Sequence, residues 1–385
     1  MRIVLTGGGS GGHFYPLIAV AQEIKKISRE EKLLPPDLVY MAPEPYDADV
    51  LYEHDITFKK IASGKWRKYA SILNILDTFM VAIGSVKAIL TMFFVLPDVV
   101  FSKGGYASVP VLVAARFFRI PVIIHESDSL PGRANAWAAK FAKRIAISYG
   151  ETGELFEKLA KKEKGSGPRI ALTGNPVRHE LTTLSPTGAH EFLKLSAELP
   201  TILVLGGSQG AQIINEILIE ALPELVAKYN VIHQTGQKHF EIARETANIV
   251  LQDNPNKERY VAFPFLNVLA LRMAAGISEL LVSRAGSGSI FEAALWKKPT
   301  ILIPIPQGVS HDQHSNAFAY ARSGAAVVVE QANLTPHLLV SEVTRLMENT
   351  EERARMSEAA GRFAQPEAAR KIAREILDLA LEHER

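Results

Sequence analysis

The chain has 385 residues, of which 47% are hydrophobic and 22% are charged. This length suits two domains better than one core, and the composition is that of a globular protein. The 43 basic and 41 acidic side chains leave a net charge of +2, without the large basic excess of a general nucleic-acid binder. Because the chain has no cysteine, it forms no disulfide and no cysteine-ligated metal site.

Short apolar segments alternate with helical patterns in the first half of the chain. The predicted strands there are Arg2–Thr6, Leu38–Ala42, Val99–Ser102, Val122–His125, Arg144–Ser148 and Ile170–Thr173. The predicted helices between them include Phe14–Ser28, Ala107–Phe118 and Arg133–Ala142. Such alternation is typical of a parallel sheet with right-handed crossovers.

The most apolar stretch of the chain runs from Ile72 to Phe101. Polar, charged and proline residues interrupt it, namely Asn74, Asp77, Lys87 and Pro97. Because its charge-free runs are shorter than the ~20 residues that a spanning helix needs, we predict an unusually apolar surface or core helix and not a transmembrane segment.

The alternation of strands and helices stops near Gly174-Asn175-Pro176, gives way to a polar segment from His179 to Pro200, and then restarts. The later predicted strands are Thr201–Leu205, Val231–Gln234, Leu280–Ser283, Thr300–Ile303 and Ala325–Val329. We therefore predict an α/β protein of two tandem Rossmann-like, doubly wound domains, residues 1–175 and 176–354, with a cleft between them. A C-terminal helix at about 355–385 is free to pack back on the first domain.

A glycine-rich turn, Gly7-Gly8-Gly9-Ser10-Gly11-Gly12, separates the first predicted strand from the first helix. Glycines let main-chain amides approach a ligand, and the following helix directs its partial positive charge at the turn, which favours a phosphate or sugar site. The dinucleotide fingerprint matches only weakly, and the second strand lacks the terminal acidic residue that would bind the ribose of NAD. His13 is a candidate general base, because a helix N-terminus disfavours protonated imidazole.

Two similar turns follow strands in the second half of the chain. They are Gly206-Gly207-Ser208-Gln209-Gly210-Ala211 and Ser283-Arg284-Ala285-Gly286-Ser287-Gly288-Ser289. Their amides and hydroxyls are suited to phosphate oxygens, and Glu292 lies within reach of a ribose diol one or two helical turns further on. Because ligands of such sheets bind outside the carboxyl ends of the strands, these turns predict a nucleotide diphosphate site.

The order and spacing of these motifs resemble the MurG family, the N-acetylglucosaminyltransferases of peptidoglycan synthesis, which have the GT-B fold. The resemblance covers nearly the whole chain. Besides the glycine-rich turns it rests on Gly104-Gly105-Tyr106, His125-Glu126-Ser127-Asp128, Pro131-Gly132, Asn135, Gly174-Asn175-Pro176-Val177-Arg178 and Asp312-Gln313. It implies inverting transfer of N-acetylglucosamine from UDP-N-acetylglucosamine to lipid I, which gives lipid II.

The resemblance also implies roles for individual residues. Ser10, Gly11 and Gly12 would lie in the cleft, near the donor sugar and the acceptor diphosphate, and Asn135 would orient groups there. The implied donor contacts are Arg178 and Ser208 at the diphosphate, Glu292 at the ribose, Leu266 beside the uracil, whose edge backbone groups would read, and Gln313 at the sugar. Because amides, hydroxyls and one guanidinium can stabilise the leaving diphosphate, we predict no metal and no cofactor.

The identity of the general base is open between two residues. His13 is the candidate that the resemblance supplies. Asp128 is a second candidate base or a sugar ligand, since many members of the family have asparagine there while others share the aspartate. Lys103, just before Gly104-Gly105, would add a positive charge where an acceptor diphosphate could bind.

The implied acceptor is a lipid, and the sequence offers a compatible surface. The basic and aromatic segment Lys65-Trp66-Arg67-Lys68 precedes apolar residues with the spacing of one helix face: Ile72, Leu73, Ile75, Leu76, Phe79, Met80 and Ile83. Such a surface can enter the headgroup layer and attract anionic lipids, although a core helix has the same pattern. We expect peripheral association with the cytoplasmic face of the cell membrane, with UDP-N-acetylglucosamine and lipid I as partners and no nucleic acid.

Other functions are open at this stage. A UDP-N-acetylglucosamine epimerase shares the architecture but needs acid and base carboxylates, for which the first domain offers Glu126 and Asp128. Another GT-B transferase could use a different lipid acceptor. An NAD-dependent dehydrogenase is disfavoured by the missing ribose carboxylate, and a non-catalytic nucleotide-sugar sensor would keep Ser208 and Glu292 but need no base.

Overall fold

A computed structural model describes residues 1–64, 73–160, 168–206, 211–309 and 311–384 of the chain. The chain forms two compact units. Unit 1 comprises Met1–Arg178 and Gln365–Arg385, and unit 2 comprises His179–Ala364. Each unit is built on one parallel sheet with helices between its strands, which confirms the predicted pair of doubly wound α/β domains.

The sheet of unit 1 contains seven strands in the described part of the chain. They are β1 (Arg2–Thr6), β2 (Asp37–Ala42), β3 (Ile56–Lys60), β4 (Val99–Ser102), β5 (Val122–Glu126), β6 (Arg144–Ile147) and β7 (Arg169–Leu172). Their spatial order is β3-β2-β1-β4-β5-β6-β7, and neighbouring strands are parallel. The direction of winding reverses between β1 and β4, which is where ligands bind in sheets of this kind.

Helices cover both faces of this sheet. They include α1 (Gly11–Glu30), α2 (Ala48–Glu53), α3 (Leu73–Val95), α4 (Val109–Phe118), α5 (Arg133–Ala138) and α6 (Gly150–Ala160). Because side chains alternate along a strand, Ile3 and Leu5 of β1 pack in the core that contains α1, whereas Val4 packs in the core that contains α4. This burial on both faces explains why the strands are apolar throughout.

Unit 2 repeats this plan. Its strands are β8 (Thr201–Leu205), β9 (Asn230–Gln234), β10 (Tyr260–Phe263), β11 (Ser278–Ser283), β12 (Thr300–Leu302) and β13 (Ala326–Val328), in the order β10-β9-β8-β11-β12-β13. Its helices include α7 (Ala189–Leu193), α8 (Gln212–Lys228), α9 (Phe240–Val250), α10 (Val268–Ile277), α11 (Ser287–Leu295), α12 (His311–Arg322), α13 (Pro336–Glu348) and α14 (Thr350–Phe363). The switch point lies between β8 and β11.

The last helix, α15 (Ala368–Glu384), belongs to unit 1 and packs against α1. Ile372 is buried in the same core as the apolar face of α1. At the edge of this contact, Arg370 forms ion pairs of 3.3 Å with Glu23 and 2.6 Å with Glu30. The packing therefore attaches the last described helix to α1, the helix that connects β1 and β2 of unit 1.

Candidate functional site

The glycine-rich turn after β1 lies at the switch point of unit 1. Gly9 has a φ of +93°, and a Cβ on this residue would stand 2.8 Å from the ring of Tyr106, so the turn requires glycine here. Helix α1 begins at Gly11, and Ser10 is its N-cap residue without a side-chain capping bond. Ser10 is half-buried and Gly12 is exposed, whereas Gly11 is buried. The turn therefore presents the N-terminus of a long helix at the ligand-binding edge of the sheet.

His13 stands in the first turn of α1 and is half-buried. Its Nδ1 lies 3.2 Å from the main-chain oxygen of Lys103. Because a carbonyl oxygen only accepts hydrogen bonds, this contact requires a hydrogen on Nδ1, and Nε2 is then the basic nitrogen whenever the ring is neutral. A Cβ on Gly105 would lie 3.5 Å from Nε2, so glycine at that position leaves space beside the basic atom.

The side chain of Lys103 is buried, with 1% of its surface exposed, and therefore does not reach solvent. Its ammonium donates to His125 Nδ1 at 2.7 Å, to Ser127 Oγ at 2.5 Å and to Asn175 Oδ1 at 2.9 Å. These three bonds use all three ammonium donors. The expectation that this charge contacts an acceptor diphosphate is therefore wrong, because the ammonium is committed inside unit 1.

Burial and neighbouring charges shift the pKa values of this cluster. Burial lowers the pKa of Lys103 to about 7, although Glu126 and Asp128 oppose the shift. Burial and the Lys103 ammonium hold the pKa of His125 well below its usual value. His125 is therefore neutral, since its Nδ1 accepts from Lys103 while its Nε2 donates to the oxygen of Gly174 at 2.9 Å.

A buried carboxylate organises the loop after β5. Glu126 accepts hydrogen bonds from the amides of Gly132 at 2.9 Å and Asp128 at 3.2 Å, and from Asn135 Nδ2 at 3.0 Å. Burial and the nearby Asp128 raise the pKa of Glu126 to about 7. Asn135 is itself buried and also donates to the oxygen of His125. Asp128 is half-buried near the start of this loop, and Asn135 supports the loop through its hydrogen bond to Glu126.

Arg178 is the last residue of the first segment of unit 1. Its guanidinium carbon lies 4.1 Å from the centre of the Tyr15 ring, a cation–π contact that orients the side chain. Tyr15 in turn meets Tyr46 edge-on, with ring centres 5.8 Å apart. Arg178 therefore stands beside α1, close in sequence to the buried Asn175.

In unit 2, the turn after β11 opens into α11. Gly286 is the N-cap residue of α11, and a Cβ on Gly286 or Gly288 would meet nothing within 4 Å. This open space at the N-terminus of a helix suits an anionic ligand. Glu292 is half-buried in the second turn of the helix. Ser208, in the turn after β8, lies outside the described residues.

Leu266 and Gln313 lie near the carboxyl ends of other strands in unit 2. Leu266 is buried, and its amide donates to Gln234 Oε1 at 2.9 Å. Gln234 was not among the predicted site residues, although it is a polar residue at the carboxyl end of β9. Gln313 is half-buried on α12, and its Oε1 accepts a long hydrogen bond of 3.4 Å from the amide of Ile305.

An exposed apolar stripe runs along α3 in unit 1. The segment Asp77–Val95 is long and apolar enough to cross a membrane by length and composition alone. Its mean hydropathy is 1.9, and only 17% of it is buried. The residues of the stripe, each between 58% and 78% exposed, are Phe79, Ile83, Val86, Leu90, Phe93 and Phe94. The opposite face packs against α4, where Ala88 and Met92 are buried. The basic segment 65–68 lies outside the described residues.

Comparison with known proteins places the chain among glycosyltransferases. The N-terminal domain model of glycosyltransferase family 28 matches residues 3–147, and the C-terminal domain model matches residues 201–376. A Bacillus thuringiensis protein named UDP-N-acetylglucosamine–N-acetylmuramyl-(pentapeptide) pyrophosphoryl-undecaprenol N-acetylglucosamine transferase 3 is 36% identical over 352 residues. The match covers 91% of this chain and 92% of that protein.

Solved structures share the architecture. The crystal structure of MurG from Acinetobacter baumannii superposes with a TM-score of 0.73 and 25% identity, and the match covers 98% of this chain and 99% of that one. A UDP-GlcNAc 2-epimerase from Neisseria meningitidis superposes with a TM-score of 0.65 at 14% identity over 98% of this chain and 100% of that one, which shows the fold alone. Both domain models match the chain, and the Bacillus thuringiensis protein is 36% identical over 91% of it. The chain therefore belongs to glycosyltransferase family 28 and, within it, to the MurG family.

Proposed function

We propose that this chain transfers N-acetylglucosamine from UDP-N-acetylglucosamine to lipid I and so forms lipid II. The Bacillus relative is named for an N-acetylglucosamine transfer of this kind. On this chain, the position of His13 supports the proposal most strongly. The residue follows the glycine-rich turn at the switch point, with Nδ1 held by a carbonyl oxygen and Nε2 left as the basic nitrogen.

The proposed chemistry is a direct displacement at the anomeric carbon. The acceptor hydroxyl attacks from the face opposite the diphosphate, loses its proton to a general base, and UDP leaves with the electrons of the broken bond. His13 Nε2 is the base in this proposal, and Asp128 is the alternative. Ser10, Gly11 and Gly12 lie near the donor sugar and the acceptor diphosphate, while Asn135 keeps the Asp128 loop in place through Glu126.

Unit 2 binds the donor in this proposal. Amides at the start of α11 and the hydroxyl of Ser208 neutralise charge on the diphosphate. Glu292 accepts hydrogen bonds from the ribose hydroxyls, and Gln313 contacts the sugar. Because Gln234 already accepts from the Leu266 amide, we assign the Leu266 carbonyl oxygen to the uracil N–H.

Incubation with labelled UDP-N-acetylglucosamine and a lipid I analogue tests this proposal. The transferase releases UDP and forms a disaccharide lipid, an epimerase forms an epimer without the acceptor, and a sensor forms no product. An epimerase would need two catalytic carboxylates, for which unit 1 offers Glu126 and Asp128. This function is disfavoured because Glu126 is buried and already accepts three N–H hydrogen bonds. Formation of an epimer without disaccharide lipid would refute our proposal.

The Glu292→Ala variant tests the donor site. Loss of a charged hydrogen bond to the ribose should weaken donor binding by about 1–3 kcal/mol, with a smaller effect on kcat. Isothermal titration with UDP measures this loss directly. Glu348→Ala is the matched control, because Glu348 is an exposed residue of the same unit that pairs with Lys228. Equal UDP affinities in the two variants would remove Glu292 from the site.

We also propose that the α3 stripe attaches the chain to the cytoplasmic face of the membrane. Its six large apolar side chains are exposed while the opposite helix face is buried, so the helix can enter a headgroup layer without unfolding unit 1. The basic segment Lys65-Trp66-Arg67-Lys68 lies just before this helix in the sequence and suits anionic headgroups. The attachment would bring unit 1 to a lipid-linked acceptor.

Replacing Ile83 and Leu90 together with glutamate should reduce binding to anionic liposomes at low salt by at least about tenfold, because apolar burial is lost and like charges repel. Co-sedimentation measures the bound fraction. Ile249→Glu is the control, since Ile249 is at least as exposed as these two residues and lies on α9 of unit 2. Turnover of a water-soluble acceptor should persist in the double variant. Full liposome binding by the double variant would contradict the proposed attachment.

A further inference from the structure

Lys103 connects three loops at the carboxyl edge of the unit 1 sheet. Its own turn follows β4, whereas its three side-chain partners lie in or after other strands: His125 is in β5, Ser127 is in the loop after β5, and Asn175 is in the loop after β7. Its main-chain oxygen also holds His13 Nδ1. One residue therefore contacts both the proposed base and the loop that carries the alternative base.

We propose that the Lys103 ammonium is a positioning group that fixes the His13 imidazole and the Asp128 loop relative to each other. This inference rests on the proposed function, because it concerns the geometry of the same transfer. Lys103 is buried and touches neither substrate nor reacting atoms in this scheme. It acts through the orientation of its own carbonyl oxygen and through Ser127, the neighbour of Asp128.

The local backbone explains why an anchor is needed. Lys103 is followed by Gly104 and Gly105, which have φ values of +75° and +78°. A pair of glycines imposes few conformational limits on the turn, so the direction of the preceding carbonyl must be set by other contacts. The three bonds of the Lys103 side chain supply them, and its Cβ packs against Gly7, where an added Cβ would lie only 2.9 Å away.

The charges around Lys103 support the same role. Glu126 and Asp128 both stabilise the ammonium electrostatically, while His125 remains neutral and accepts one of its hydrogens. Removal of the ammonium would leave His125 Nδ1, Ser127 Oγ and Asn175 Oδ1 without this donor in a buried site. Buried polar groups without partners are costly, so the loops would shift to find other partners or admit water.

The Lys103→Met variant tests the proposal, because methionine retains the length of the side chain without its charge. We expect kcat to fall by about 10- to 100-fold while the affinity of unit 2 for UDP stays within about twofold. Lys298→Met is the matched control. Lys298 is a largely buried lysine of unit 2 whose Nζ donates to the oxygen of Ser278, away from the glycine-rich turns. It should leave kcat unchanged.

Chemical rescue separates positioning from simple loss of packing. Because the natural chain has no cysteine, Lys103→Cys can be alkylated at a single thiol in denaturant and then refolded. Alkylation with 2-bromoethylamine restores a lysine-like ammonium, whereas 1-bromopropane gives a neutral side chain of the same shape. Only the ammonium form should recover kcat, relative to wild-type protein refolded in the same way. Equal kcat in the two alkylated forms would overturn the proposal.

A readout without turnover distinguishes this inference from the proposed function. Nitrogen NMR of the histidine rings should show a single His13 tautomer, protonated at Nδ1, in the wild type and a mixture in Lys103→Met. If wild-type protein forms no disaccharide lipid but this difference is seen, the proposed reaction fails and the positioning role stands. An unchanged His13 tautomer together with unchanged kcat in Lys103→Met refutes the positioning role.

Discussion

Replacing His13 with alanine is expected to lower kcat by about 10²–10⁴-fold, the usual contribution of a general base. The KM for UDP-N-acetylglucosamine should change by less than about threefold, because the His13 side chain is not among the proposed donor contacts. The expectation follows from the 3.2 Å contact between Nδ1 and the Lys103 oxygen, which leaves Nε2 to accept the proton. Steady-state turnover of a lipid I analogue measures both constants.

Asp128→Asn is the matched comparison for His13→Ala. Asparagine keeps the shape of the side chain and leaves the main-chain hydrogen bond from Asp128 to Glu126 intact, but it cannot accept a proton at neutral pH. If His13 is the base, Asp128→Asn should retain most of the turnover. The opposite pattern, with unchanged kcat in His13→Ala and a large loss in Asp128→Asn, would assign the base to Asp128.

The sequence was sufficient to predict the architecture because the relevant signals are local. Each glycine-rich turn stands between an apolar strand and a helix, and parallel sheets bring such turns to one edge. The strands β3 and β10 were missed, and β3 shows the physical reason. It is an edge strand of unit 1, and among Ile56–Lys60 only Ile56 is buried, so the segment lacks the continuous apolar pattern of the central strands.

The environment of Lys103 could not be predicted in the same way. Its three partners lie 22, 24 and 72 positions away in the sequence, so no local pattern connects them. A lysine before two glycines resembles an exposed anion-binding residue, and only the packing of β4, β5 and β7 shows that it is enclosed. The same holds for Glu126, which continues β5 one residue beyond the predicted strand and is buried there.

The α3 helix shows a different limit of the sequence. Its composition predicted an unusually apolar helix, but the periodicity could not distinguish a helix on the protein surface from a helix in the core. The structure shows that the helix has both kinds of face, since Ala88 and Met92 are buried while Phe79 and Phe94 are exposed. The apolar residues cover nearly the whole circumference, so the side that faces solvent depends on where α4 packs.

Replacing Glu126 with alanine should destabilise unit 1 by about 3 kcal/mol, because three N–H groups lose a buried acceptor. Chemical denaturation followed by Trp137 fluorescence, with Trp66 and Trp296 replaced by phenylalanine, reports on this unit. Glu154→Ala, an exposed residue of α6, should change the unfolding free energy by less than about 0.5 kcal/mol. Similar stabilities for the two variants would show that the loop after β5 tolerates the loss of its acceptor.

Glu126→Gln separates the hydrogen bonds from the charge. The folded-state pKa of Glu126 is raised from 4.5 to about 7, so the folded protein binds the proton more tightly than the unfolded chain. This group therefore stabilises the fold below pH 4.5, and the contribution is lost as the pH rises through about 7. In the wild type, relative to Glu126→Gln, the unfolding free energy should fall by about 1.4 kcal/mol per pH unit across that window.

Denaturation of both proteins at about pH 5 and about pH 8 measures this difference. A constant difference between them would mean that Glu126 is ionised in the folded protein at both pH values. The buried charge would then require a compensating cation, and the Lys103 ammonium, which Glu126 stabilises electrostatically, is the candidate. In that case the pH dependence should appear in Lys103→Met, where Glu126 has lost this cation and its carboxyl becomes harder to ionise.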